Sequence, residues 1–244
     1  MAFRNIPEDR REENGVVYYR RTDVSAGGVL YERLAIQTHF VERGESYLEL
    51  IDRYVTPVAK PGDVLSISEK IISMCQNNVV EKIDVKVGFW ARTLSRFAAS
   101  NSRGIAMDEP YKLQLAIDLA GLPRILFAAF CSAVTKLFGK KGVFYKIAGH
   151  GIDGIDGFYL GSSFPTYHNI ALLNPRDPDG VCREVEEHSG IPCLLVDAND
   201  FNVDIFGRSP SLHLPCDSLL ELLRDNPAGQ SDELTPLILM RKAL

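Results

Sequence analysis

The segment Ile191-Pro-Cys-Leu-Leu-Val-Asp-Ala-Asn-Asp-Phe-Asn202 constrains this chain more than any other. A short run of branched apolar residues suits a strand buried on both faces, and this one stops abruptly in Asp197, Asn199 and Asp200. Open α/β sheets place ligands beyond the carboxyl ends of such strands, which makes Asp197 the first candidate for a functional residue. Asp197 and Asn199 serve equally well as turn openers, because both side chains hydrogen-bond their own backbone. Upstream, residues 169–174 read as another strand, and Asp177-Pro-Asp-Gly180 opens an amphipathic helix that stops near Gly190. A strand, helix, strand unit predicts an α/β protein with a mixed sheet, part of it parallel.

The rest of the chain divides by its glycines and prolines. Residues 1–34 form a charged leader, mobile or strand-like, that includes the loop pair Gly27-Gly28. Residues 45–55 carry Leu48, Ile51 and Val55 on one helical face, and Pro57 with Pro61-Gly62 ends that helix. Residues 63–73 read as a strand interrupted by Ser66 and Ser68. A helical block at 108–142 begins with capping chemistry at Asp108-Glu109-Pro110, breaks at Gly121 before Pro123, and closes at Gly139. Residues 143–148 read as a strand leading into Gly149-His-Gly-Ile-Asp-Gly-Ile-Asp-Gly157. A helix at 217–224 and a last strand at 236–240 flank residues 226–236, a polar stretch suited either to binding or to plain connection.

Composition excludes several classes of function. With 27 Lys and Arg against 32 Asp and Glu, the net charge of -5 argues against a general nucleic-acid surface. The five cysteines are widely spaced without a Cys-x-x-Cys pair, which reads as reduced thiols in the cytoplasm. No basic-then-apolar signal region opens the chain. Residues 125–134 are the longest apolar run and fall well short of the roughly 20 residues a membrane span needs, so they read as a buried helix with no membrane partner.

Gly149-His-Gly-Ile-Asp-Gly154 matches the spacing of a dinucleotide fingerprint, but Gly161, Ser162, Ser163 and Pro165 occupy the place of the helix that should receive the pyrophosphate. A P-loop, a zinc-ligand spacing among the five histidines and a serine-hydrolase elbow are absent from the sequence. Asp153, Asp156 and Asp197 offer the hard oxygen donors that magnesium or manganese prefers. They also suit turns that satisfy their own backbone.

Five short motifs occur in the order found in a known family. They are Pro61-Gly-Asp-Val-Leu-Ser-Ile-Ser-Glu-Lys-Ile-Ile-Ser73, Gly151-Ile-Asp153, Leu173-Asn-Pro-Arg-Asp-Pro-Asp-Gly180, Val196-Asp-Ala-Asn199 and Gly229-Gln-Ser-Asp-Glu-Leu-Thr-Pro236. Together they resemble the coenzyme F420-0:L-glutamate ligases (F420-0 gamma-glutamyl ligases), over most of residues 35–244. The resemblance implies the family's fold, interlocked as a homodimer, with the helical block as an insertion. It implies a divalent metal, Mg or Mn, held by Asp153, Asp197 and Gln230, with Asp156 as the alternative to Asp153. Nucleotide contacts would come from Ser68, Glu69, Lys70, Ser73, Asp156, Asn199, Gly229, Gln230, Ser231, Asp232, Glu233 and Pro236.

The implied reaction joins a small-molecule carboxylate to L-glutamate or a similar amino acid through an acyl phosphate made from GTP or ATP. No residue is assigned as a covalent catalyst. The chain departs from the family at Met74-Cys-Gln-Asn77, which replaces Lys-Ala-Glu-Gly, and at Ala198, Asp200-Phe201 and Leu234. Those departures motivate a rival reading, a nucleotide- or metabolite-binding protein on the same scaffold without turnover. A structural or adaptor protein is a third reading, though such a protein has no need of aspartates gathered at strand ends.

Overall fold

A computed structural model describes residues 9–98, 107–140, 142–149, 151–158, 164–198, 203–229 and 233–243, the Asp153 side chain excepted. Three strands come first: β1 (Asp9–Glu13), β2 (Val16–Ala26) and β3 (Val29–Ile36). Next are α1 (Tyr47–Leu50), β4 (Val64–Ser68), α2 (Glu69–Cys75) and β5 (Val79–Glu81). The helices α3 (Phe89–Ser95), α4 (Pro110–Ala120), α5 (Leu122–Leu137) and α6 (Val143–Ala148) follow. Then come β6 (Asp156–Gly157), α7 (Thr166–Asn169), β7 (Ile170–Leu172), α8 (Pro178–Ser189), β8 (Cys193–Ala198), β9 (Val203–Arg208), α9 (Cys216–Leu223) and β10 (Leu237–Lys242). The protein is mixed α/β, in two compact units: residues 1–77 with 175–244, and residues 78–174.

The first unit is a seven-stranded sheet in the order β1-β2-β3-β10-β4-β8-β9. The pair β4 and β8 is parallel, and the other neighbours run antiparallel. Helices cover both faces, as near-continuous apolar strands require. Leu219, Leu222 and Leu223 of α9 belong to one core cluster with Leu194, Val196, Ile238 and Met240. On the other face, α8 packs on β8 and β9, with Val181, Cys182 and Val185 buried. Gly207 allows that approach, because a Cβ there would lie 2.5 Å from the carbonyl carbon of Pro178.

Asp63, Arg21 and Arg33, all buried in this unit, each pair with an opposite charge. Asp63 accepts two hydrogen bonds from the Arg241 guanidinium at 2.9 and 2.7 Å. Arg21 and Arg33 stand opposite each other on β2 and β3. Arg33, fully buried, donates to the Leu222 carbonyl at 2.8 Å and forks onto Asp225. Carbonyls at a helix's last turn favour a cation, so Arg33 also stabilises the end of α9.

The second unit is mainly helical around a three-stranded sheet, β5-β7-β6, all antiparallel. Ile125, Ala128, Leu113, Ala116, Ile152 and Phe158 are among its buried apolar residues. Glu109 caps α4 by accepting from the Lys112 amide at 2.8 Å, with Pro110 in the first turn, as the sequence predicts.

Several expectations need correction. Residues 143–148 form the helix α6 rather than a strand: Phe144, Ile147 and Ala148, spaced i, i+3 and i+4, face the core, and glycines at positive φ bound them at 142 and 149. Residues 63–73 are a strand only to Ser68, after which α2 buries Ile71, Ile72 and Met74. The α1 helix continues from Ile51 to Val55 with wider i to i+5 bonding, including Thr56 N to Ile51 O at 3.0 Å. The parallel partner of β8 is β4, because β7 pairs within the small sheet. Residues 125–134 are helical but not buried all round, since Phe127 is 60% and Phe130 67% exposed. Of the two readings of residues 1–34, the described part from Asp9 onward takes the strand one. Among the described residues no single helix is long and apolar enough to cross a membrane.

Candidate functional site

The strand ends of the first unit bring three sequence motifs together. Ser68 closes β4 and pairs in register with Val196, one residue before Asp197. The Ser68 amide donates to the Pro236 carbonyl at 2.9 Å, just before β10 begins. The Gly-Asp-Val-Leu strand, the Val-Asp-Ala-Asn stretch and the end of the last loop therefore meet at one end of the sheet. Register sets their side chains apart, however. Ser68 shares the face of Val196, whereas Asp197 turns to the opposite face with Leu195.

Asp197 has a carboxylate neighbour that sequence reading did not find. In the β8 and β9 pairing it stands directly opposite Asp204. Directly opposed side chains on antiparallel strands lie about 5 Å apart at Cβ, and two like charges there repel unless a cation or donor intervenes. Asp197 is half-buried and Asp204 exposed. Magnesium is commonly held by one or two carboxylates together with waters and substrate phosphate, so this pair suits such an ion. Among the described residues there is no group of three or more His, Cys, Asp or Glu arranged to hold a metal. The signal for Asp204 was the alternation Val203-Asp204-Ile205, which becomes informative only once the register is known.

The other residues named from sequence are scattered. Glu69 and Ser73 are buried in α2, and Lys70 is half-buried there. Asp153 lies in the short turn Ile152–Gly154 and Asp156 in β6, both in the second unit. Asn199, Gln230, Ser231 and Asp232 fall outside the described residues, as does His150. Gly229 closes a turn, its amide bonding the Asn226 carbonyl at 3.0 Å. The buried Arg21 donates to the Glu233 carboxylate and, at 2.9 Å, to the Pro227 carbonyl. Gln37 reaches the Glu233 carbonyl at 3.0 Å, and Thr235 donates to the Ala228 carbonyl at 2.7 Å. The described ends of the 226–236 loop are thus clamped to the sheet.

Some residues at which the sequence departs from the pattern it resembles are described. Met74, which that resemblance sets against a lysine, is buried, 2% exposed. Gln76 exchanges two hydrogen bonds with the Arg176 main chain at 2.8 and 2.7 Å. Asn77 takes φ 50°, a left-handed conformation that asparagine tolerates better than most residues. A shallow depression of about 360 Å³ lies beside α8, lined by Tyr47, Gln76, Arg176, Arg183 and Glu184 among others. None of the residues that the resemblance implies as metal or nucleotide contacts lines it, although Gln76, Arg176, Asp177 and Gly180 of the sequence motifs do.

The glycine-rich segment is shaped by packing inside its own unit. A Cβ on Gly154 would sit 1.7 Å from the Asn174 Oδ1, and one on Gly157 would sit 2.2 Å from the Ile170 carbonyl oxygen. These glycines admit a neighbouring side chain and strand, a role that needs no phosphate. Two of the thiols are chemically quiet: burial pushes Cys75 up to about 12, and a hydrogen bond to Cys193, together with burial, raises Cys182 as well.

No protein-family model matches this chain, and no curated protein sequence matches it either.

Proposed function

We propose that the protein is a nucleotide- and divalent-metal-dependent ligase that joins a carboxylate substrate to the amine of L-glutamate or a similar amino acid. The observation that carries this reading is the meeting of three motifs at one end of the first unit's sheet, through Ser68, Pro236 and Asp197. Ligands of open α/β sheets bind at such strand ends. Asp197, with Asp204 opposite, would hold the magnesium or manganese ion, which when bound neutralises charge on the transferring phosphoryl group. The chain's own part is positional. Arg21 and Gln37 fix the last loop, and the Ser68 amide ties its end to β4.

Calorimetric titration of GTP and of ATP, each with and without manganese, tests the reading in wild type and Asp197→Ala. Metal-dependent binding of either nucleotide that disappears in the variant is the expected result. Unchanged binding in Asp197→Ala, or no binding by wild type, overturns it.

A second reading, nucleotide or metabolite binding without turnover, is favoured by Met74. Its buried thioether cannot supply the charge that the family's lysine brings to phosphate. Nucleotide binding without phosphate release in any mixture of acids and amines selects this second reading.

A further inference from the structure

The second unit carries an outward surface at odds with the rest of the molecule. Along α5, the residues Phe127, Phe130, Val134 and Leu137 are 60, 67, 39 and 84% exposed. They recur at spacings of three and four, which places them in one stripe. Ile125 and Ala128, wholly buried, lie on the other side of the same helix. A surface helix ordinarily turns polar residues outward, and a helix that is apolar all round belongs in a core or in lipid. The helix α3, in contact with α4, also exposes Phe89 and Trp90, at 72 and 43%. Exposed apolar groups in such number mark a surface that something covers.

Charge indicates what covers it. Residues 85–152 contain ten Lys and Arg and only three Asp and Glu, in a chain whose overall balance is 27 against 32. From Leu119 to Ile152 the sequence has no acidic residue at all, and Lys136 and Lys140 stand exposed at the end of α5. A second copy docked face to face would bring these cations against their own equivalents, because a twofold interface is self-complementary. An anionic bilayer suits both features: aromatic and aliphatic side chains enter the headgroup boundary while Lys and Arg meet the lipid phosphates. The 16 residues of α5 extend about 24 Å, short of the roughly 30 Å hydrocarbon core. The companion helix α4 turns away by 117°. The geometry is that of a helix lying in the plane of the interface.

We infer that the second unit docks on anionic membrane surfaces, with the Phe127, Phe130, Val134 and Leu137 face of α5 inserted at the headgroup boundary. This departs from the expectation of no membrane partner, and it stands independently of the ligase reading.

Vesicle co-sedimentation tests it with the full chain, using phosphatidylcholine vesicles with and without phosphatidylserine. Wild type sediments with the phosphatidylserine vesicles, at least ten-fold more tightly than with phosphatidylcholine alone, and raising salt from 0.1 to 0.5 M releases it. Phe127→Ser with Phe130→Ser lowers the binding at least ten-fold, and Lys136→Glu with Lys140→Glu lowers it in the phosphatidylserine series only. Circular dichroism identical to wild type shows that the variants are folded. If a variant fails to fold, the lipid and salt series on wild type decides alone. No vesicle binding by wild type, binding that the folded phenylalanine variant keeps, or a dimer that this variant abolishes in place of vesicle binding overturns the inference.

Discussion

The two units solve the problem of surface in opposite ways. The first sandwiches its sheet between helices and admits charge to the interior in partnership, as with Asp63 and Arg241 or Arg33 and Asp225. The second has a mostly apolar interior, with Lys112 the buried lysine of α4, and also turns phenylalanines outward on a basic background. Burying a charge is costly unless it is paired, whereas exposing a phenylalanine is tolerated by the fold and costs only solubility. Substitutions in the first unit should therefore register as stability, and those on the outer face of the second as association.

The largest expected effect is at Asp63. Removing it strands the guanidinium of Arg241, which is 15% exposed, and Asp63→Ala should cost about 3–5 kcal/mol in urea unfolding followed by far-ultraviolet circular dichroism. A loss below about 1 kcal/mol would mean the pair is no more than a surface bridge. In the second unit Gly154→Ala forces a methyl against Asn174 and should cost about 1–3 kcal/mol, read from the fluorescence of Trp90, the single tryptophan. Removing the Asp177 cap of α8, which accepts from the Gly180 amide at 3.2 Å, should cost about 1 kcal/mol. Phe130→Ser should change stability by less than about 0.5 kcal/mol, and a larger loss would show that this face is packed and the contrast is false.

The thiols sharpen the same contrast without mutation. Folded protein keeps the Cys75 proton that the unfolded chain begins to release near 9.0, since burial, followed by the nearby Glu45 carboxylate, raises the thiol to about 12. That contribution to stability is complete below about pH 9 and is lost as pH rises towards 12. Alkylation at pH 8 should label exposed Cys216 first and spare Cys75, Cys182 and Cys193 until unfolding, as peptide mass spectrometry would show. Early labelling of Cys182 would mean that the sheet and α8 part readily.

Much of the first unit was legible because its signals are local. Asp177 with Pro178 at one end of α8 and Gly190 at the other mark that helix on the sequence alone, and apolar runs closed by polar residues mark β8 and β10. The boundaries at 77 and 174 were not legible, because they rest on the pairing of β5 with β7, strands of three residues that lie about ninety positions apart. The helix α6 was misread because six apolar-rich residues carry too little period to separate helix from strand. Of the candidate site, the meeting of Ser68, Pro236 and Asp197 rests on the pairing of β4 with β8 and β10, which sequence spacing does not encode. The opposite facing of Ser68 and Asp197, and the presence of Asp204, depend on register, which no local pattern encodes.

The place of β10 in the sheet bears on how the protein is made. Of the described strands it is the farthest along the sequence, yet it lies in the middle of the sheet, hydrogen-bonded to β3 on one side and β4 on the other. A chain emerging from the ribosome forms β2 and β3 early, then exposes β4, and must carry both open edges through more than a hundred further residues. Pairing across such separations is slow, and unpaired strand edges recruit other chains. The nascent protein is thus most exposed to aggregation just before Leu237–Lys242 arrives, when helpers that shield strand edges during translation would matter most.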